Sequence, residues 1–232
     1  MLHPYGSYDC TELISTTPVQ KRKKGNQSSR HNQWYYKDLI CAFDIETSLI
    51  RTGSGTSDYI SVMYIWQLQL GKDCTIYGRT WDDFLQQMSQ ITNALEPDER
   101  LFIAVHNLAY EWQWLRDPKL LGSVIDESSV FLVDSRRPVK FIAYDGKIEF
   151  RCSYLHSNMS LDEFTDKMQV EHGKLSGEEF DYSKLRYPWT ALTDRELEYC
   201  ANDVIGLVEC LYKECEIDHD SLYTLPLPAL GM

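Results

Sequence analysis

The sequence predicts an α/β protein: a mixed sheet flanked by helices. Three observations carry the prediction. Apolar runs of strand length, "LICAFDIE" and "RLFIAVHN", are separated by stretches of helical character. A long aromatic and β-branched run, "YISVMYIWQLQL", is followed at once by a turn and a second strand. The last third of the chain carries a long amphipathic helix.

Taken in order, "LICAFDIE" reads as a buried strand. The run "YISVMYIWQLQL" turns at "GKD" into "CTIYGRT", an antiparallel hairpin. "TWDDFLQQMSQITNAL" opens with Thr80 and has Asp83 three residues later, a helix start. "RLFIAVHN" is another buried strand and runs into a short aromatic helix, "LAYEWQWL". Residues 129–154 read as two or three strands with a turn at Asp145-Gly146. "TDRELEYCANDVIGLVECLYKE" begins with a capping box, Thr193 and Glu196, and buries Leu197, Val204, Leu207, Val208 and Leu211 on one face. No internal repeat is present.

At 232 residues the chain is long enough to bury a sizeable core. Its 35 acidic against 23 basic residues give a formal charge of -12, so a polyanion would have to be held locally or through metal ions. The basic residues cluster early: residues 1–38 hold six against three acids and include "PVQKRKKGNQSSRHNQW". The plain reading is a flexible basic arm over 1–38; the sharper one is a DNA-backbone contact by Lys21 to Lys24. The seven cysteines show no CxxC or finger spacing, which favours a reduced intracellular chain over a disulfide scaffold or structural zinc site. No apolar stretch reaches the roughly 20 residues of a membrane span, and the amino terminus lacks a signal-peptide core.

Three acidic clusters stand out. Asp44 and Glu46 lie two apart on a strand and so point to one face, where like charges are costly unless something positive sits between them. Asn107 and Glu111 in "HNLAYEW" follow a buried strand, where α/β sheets place ligand sites; the alternative is an acid on a solvated helix face. Tyr199 and Asp203 in "YCANDV" are i and i+4 on one helical face. Singly, each acid reads as an ordinary surface or strand-end residue.

Together, "FDIET", "HNLAYEW" and "YCANDV" resemble, in order and approximate spacing, the three exonuclease motifs of family B DNA polymerases, above all the protein-primed branch of bacteriophages. The resemblance covers residues 39–215 and implies a ribonuclease H-like fold and a 3′-5′ proofreading exonuclease of the DEDD superfamily. It implies Asp44, Glu46, Glu111 and Asp203 as metal carboxylates, with Glu111 where the family usually has aspartate. It implies Tyr199 as the residue positioning the attacking water and Lys174, in "GKLSGEEFDYSKLR", as a catalytic-site lysine. Thr47, His106, Asn107, Tyr110, Ser153 and Tyr154 match positions that hold the single-stranded 3′ end.

The implied cofactors are two Mg²⁺ or Mn²⁺ ions, about 4 Å apart, clamping the scissile phosphate. The implied partners are a single-stranded DNA 3′ end and a terminal protein or polymerase domain, with no membrane, in the cytoplasm of a bacterial host. After "YTLPLP" the sequence stops where a full polymerase would continue, and no YxDTDS motif is present; residues 216–232 are therefore expected to be the start of a truncated connection. Two other readings stay open: a 3′-5′ exoribonuclease of the same superfamily, and a metal-free module that docks a replication protein.

Overall fold

The computed structural model describes residues 1–20, 34–53, 55, 58–173, 175, 180–181 and 183–219. Its elements in chain order are β1 (Leu2–Pro4), α1 (Thr11–Thr16), β2 (Tyr35–Arg51), β3 (Tyr59–Leu70), β4 (Cys74–Gly78), α2 (Trp81–Ala94), β5 (Glu99–Val105), α3 (Ala109–Leu115), β6 (Ile125–Asp134), β7 (Arg137–Ala143), β8 (Ile148–Cys152), α4 (Ser153–Ser157), α5 (Leu161–Met168) and α6 (Asp194–Asp218). The strands form one sheet in the order β1-β4-β3-β2-β5-β8-β7-β6. β2, β5 and β8 run parallel to one another, while β2–β3, β3–β4, β6–β7 and β7–β8 are antiparallel. This is a mixed α/β sheet with flanking helices, as expected, and it is compatible with the ribonuclease H-like class.

The central strand β2 is covered on both faces, which is why its sequence reads as a continuous apolar run. Ile40 and Ala42 pack with Phe164 of α5 and with Val204, Leu207 and Leu211 of α6. The alternate residues Cys41, Phe43 and Ile45 join Phe84 and Met88 of α2 in the larger core on the opposite side. α3 is anchored to that larger core by its tryptophans: Trp112 packs on Phe141 at 5.0 Å between ring centroids, and Trp114 on Trp81 at 5.9 Å.

Turn and cap chemistry follows the sequence closely. Leu70 pairs with Cys74 across the β3–β4 turn, and Gly71 takes φ +60, which glycine adopts without penalty. Complete capping boxes open α2 (Thr80 with Asp83) and α6 (Thr193 with Glu196). A third, Ser160 with Glu163, opens α5, a helix the sequence reading passed over although "SLDE" carries the pattern.

The amino terminus departs from the expected flexible arm. β1 pairs in parallel with β4 through Leu2, His3 and Pro4, and Cys10 and Ile14 are fully buried. The apolar residues before position 17 are few but cover the edge of the α2 face, and a count of basic residues misses that. The strand containing "LICAFDIE" likewise begins at Tyr35 rather than Leu39, and its Lys37 is buried in an ion pair with Glu99 at 2.9 Å. The basic run Lys21 to Lys24 lies outside the described residues. At the other end α6 continues to Asp218, taking up the first residues of the expected 216–232 segment; residues 220–232 lie outside the description. Among the described residues, no helix is long and apolar enough to cross a membrane.

Candidate active site

Four acids from three elements meet in one cleft of about 590 Å³ at the end of the central strands. β2 presents Asp44 and Glu46 on the face it turns to α6, as period two requires, and a bulge after Glu46 then breaks the alternation. α6 docks its apolar stripe on Ile40 and Ala42, and this seats Asp203 beside the two β2 acids. Carboxylate oxygens of Asp44, Glu46 and Asp203 all lie within 4.8 Å of one another.

The fourth acid arrives from β5. That strand ends at Val105; His106 follows, and Asn107 takes φ 63, a left-handed conformation that asparagine tolerates better than most residues. The reversal launches α3 so that Glu111 points into the cleft while Trp112 and Trp114, which follow it, face the core. Glu111 is only 2% exposed, which overturns the alternative of an acid on a solvated face.

The electrostatics of this acid are unusual. Burial, with a further push from Glu46, raises the Glu111 carboxyl to about 8. Its Oε2 is buried with no hydrogen-bond partner among the described residues. Glu149 on β8 is equally buried and makes the contrast. Burial would raise its carboxyl too, but the Arg151 guanidinium at 2.5 Å and a hydrogen bond from Tyr36 hold it below the usual range. The fold thus neutralises Glu149 from within, whereas none of the described residues supplies such a cation to Glu111. The neighbouring Cys200 thiol, which the sequence reading did not single out, is pushed up by burial and then by Glu46, Asp44 and Asp203.

These acids fit a divalent metal centre. Anionic oxygens of three carboxylates converge from two elements, a fourth carboxylate is buried with no compensating cation among the described residues, and the oxygen-only donor set suits hard cations such as Mg²⁺ or Mn²⁺. A second group, Glu171, His172 and Glu209, lies nearer the surface; there His172 Nδ1 and Glu209 already share a 2.6 Å hydrogen bond.

The residues expected to hold a strand end are distributed around the same cleft. His106, Asn107, Tyr110 and Tyr154 line it. Thr47 and Tyr110 share a hydroxyl–hydroxyl hydrogen bond across its wall, and Tyr110 and Tyr154 remain 38% and 39% exposed. Tyr154 meets the His106 ring edge to face at 5.8 Å. Ser153 is buried instead, with its hydroxyl 3.0 Å from His106 Nδ1, and so reaches the cleft through His106. Ser160 and Leu161, at the start of α5, complete the wall and were not expected.

Tyr199 is not part of this lining. Its ring stacks on Phe180 at 4.3 Å and borders a separate pocket of about 250 Å³ with Lys184, Arg186 and Glu196. The segment over it is tied down firmly: Arg186 bonds Glu196 through Nε at 2.9 Å and donates its backbone N–H to Ser48, while Arg79 bonds the carbonyls of Tyr187 and Thr190. Lys174 lies outside the described residues.

Fold and cleft together define an α/β protein with an acidic, cation-seeking site at the carboxyl ends of parallel strands. No protein-family model matches the chain, and no curated protein matches it in sequence. Solved structures do match. Phi29 DNA polymerase complexed with single-stranded DNA superposes with a TM-score of 0.57 at 14% identity, over 78% of this chain and 32% of the polymerase chain. The same polymerase with primer-template DNA, in its post-translocation binary complex, gives 0.56 at 14% identity over 78% and 32%. Brucella melitensis NrnC gives a looser 0.41 at 14% identity over 78% and 75%. The chain therefore shares its fold with part of phi29 DNA polymerase and spans about a third of that polymerase's length.

Proposed function

We propose that the chain is a divalent-metal-dependent 3′-5′ exonuclease acting on the 3′ end of single-stranded DNA, similar to the proofreading part of a phage-type family B DNA polymerase. The observation that carries the reading is the convergence of Asp44, Glu46 and Asp203 within 4.8 Å, beside a buried Glu111 that no described residue neutralises. The likeness of fold to part of phi29 DNA polymerase supports it, and association with a polymerase domain or terminal protein belongs to the same proposal.

Asp44, Glu46, Asp203 and Glu111 would hold two Mg²⁺ or Mn²⁺ ions. When bound, such ions activate water and stabilise the leaving 3′ oxygen of a phosphodiester. The rest falls to the protein's own side chains. Tyr110 and Tyr154 offer half-exposed rings at the cleft mouth on which terminal bases stack irrespective of sequence. Asn107, held at the strand end by its left-handed backbone, offers a carboxamide to the terminal nucleotide. Thr47 braces Tyr110, and Ser153 fixes the His106 ring. Buried walls limit water to the reacting end. Tyr199 would position the attacking water only after its ring leaves Phe180, and Lys174 would offset phosphate charge.

The test is release of nucleotides from a 3′-labelled single strand in Mg²⁺, with matched DNA and RNA. We expect release from DNA, and its abolition in an Asp44→Ala/Glu46→Ala double variant that keeps its circular dichroism. Near-parental release by that variant would refute the site. Release from RNA alone would move the reading to an exoribonuclease, and no release from either to a docking module.

A further inference from the structure

Directly across the sheet from Asp44 sits a side chain that the active-site reading leaves without a task. Gln67 on β3 is the cross-strand partner of Asp44, and Tyr77 on β4 is in turn the partner of Gln67. Cross-strand partners share a face, so Gln67 points to the same side of the sheet as the Asp44 carboxylate. It is fully buried, and among the described residues neither its Oε1 nor its Nε2 has a hydrogen-bond partner.

That arrangement is rare and costly, since buried carboxamides are almost always satisfied. The fold is able to do better. Gln69, two residues on and on the same face, donates at 2.8 Å to the Gly71 carbonyl and accepts from the Thr75 hydroxyl. Leucine or methionine would fill the Gln67 site without leaving polar atoms stranded. Its flanking residues Trp66 and Leu68 show how readily this strand takes apolar side chains.

We propose that Gln67 is a positioning residue for Asp44. As the cation binds, its unpartnered Nε2–H turns to donate to one oxygen of the Asp44 carboxylate and so aims the other at the cation. Cβ atoms of cross-strand partners lie about 5 Å apart, which brings a glutamine amide within reach of the neighbouring carboxylate. Carboxylates that bind metal are generally oriented by such outer hydrogen bonds, and losing one typically weakens metal affinity or activity by about 10–100-fold. This inference rests on the metal-dependent reading of the cleft. It adds that metal affinity is set from behind the site as well as within it.

The experiment is calorimetric Mn²⁺ binding to the full chain and to Gln67→Met, an unbranched near-isostere, with Gln67→Leu as a second variant. Thermal unfolding is recorded in EDTA. Mn²⁺ affinity should fall about 10–100-fold in both variants while the metal-free Tm stays level or rises. Unchanged Mn²⁺ affinity in a folded variant overturns the assignment, as does a lowered metal-free Tm with parental affinity, which would mark Gln67 as merely structural. Nucleotide release by the parent is scored separately. If the parent binds Mn²⁺, loses affinity on Gln67→Met and still releases no nucleotide, the exonuclease reading falls and the Gln67 assignment stands. A parent that binds no Mn²⁺ overturns both.

Discussion

Replacing Glu111 with glutamine should stabilise the metal-free protein and disable the proposed nucleotide release. The carboxyl is 2% exposed, has an unpartnered Oε2, and is raised from 4.5 to about 8 by burial and then by Glu46. Its folded value lies above its unfolded one, so between those pH values the native state binds more protons than the unfolded state. Stability is therefore full below about pH 4.5 and is lost as pH rises toward 8. Taken whole, the shift corresponds to roughly 5 kcal/mol. Relaxation and water entry in a cleft reduce that, and about 1–3 kcal/mol, the usual cost of an unsatisfied buried polar group, is the better expectation.

Glutamine keeps the shape and does not ionise. Urea unfolding in EDTA should show parent and Glu111→Gln equally stable at pH 4.5, with the variant ahead by about 1–3 kcal/mol at pH 8. In Mg²⁺ the order reverses for activity, because the cation needs anionic oxygen: Glu111→Gln should lose most nucleotide release, and Glu111→Asp should retain a substantial part. Parallel pH–stability curves for parent and Glu111→Gln, or parental activity in the variant, would remove Glu111 from the centre and leave three acids.

Three further outcomes are expected. Burial alone would raise Glu196, but hydrogen bonds from Lys184, Thr193 and Arg186 hold it down to about 2. Its folded value lies below its unfolded one, so Glu196→Gln should cost roughly 1–3 kcal/mol above about pH 4.5, a difference that vanishes as pH falls toward 2 in acid titrations of stability. Asn107→Ala should lose about 1–2 kcal/mol from its left-handed backbone, whereas Asn107→Gly should keep stability yet lose single-strand affinity, read by fluorescence anisotropy. Gly206→Ala in α6 should destabilise despite alanine's better helix propensity, because a Cβ there would lie 2.2 Å from the His172 carbonyl; a raised Tm would show that the loop gives way.

Legibility in the sequence followed the physical range of each signal. Strand periodicity and capping boxes act within a few residues, and they located β2, the β3–β4 hairpin, α2 and α6 correctly. The shared face of Asp44 and Glu46 followed from period two alone. Glu111 was recognisable only through its motif, since nothing local says whether α3 turns its acid or its tryptophans inward; that choice is made by Phe141 and Trp81, both distant in sequence. The ordered amino terminus was missed for the same reason: three strand residues and a six-residue helix become stable only against β4 and α2, which the chain supplies some 70 residues later. Tyr199 illustrates the limit most clearly. Helical spacing correctly sets it one turn before Asp203, but the direction of its ring depends on Phe180, in a segment whose path no periodicity encodes. Gln67 carries no signal of its own in the sequence. A glutamine in a strand is unremarkable until its partner across the sheet proves to be a carboxylate and its own amide proves to be unsatisfied. The residues that bear charge in this cleft are written in motifs, whereas those that aim the charge are fixed by register, and register is a property of the folded sheet.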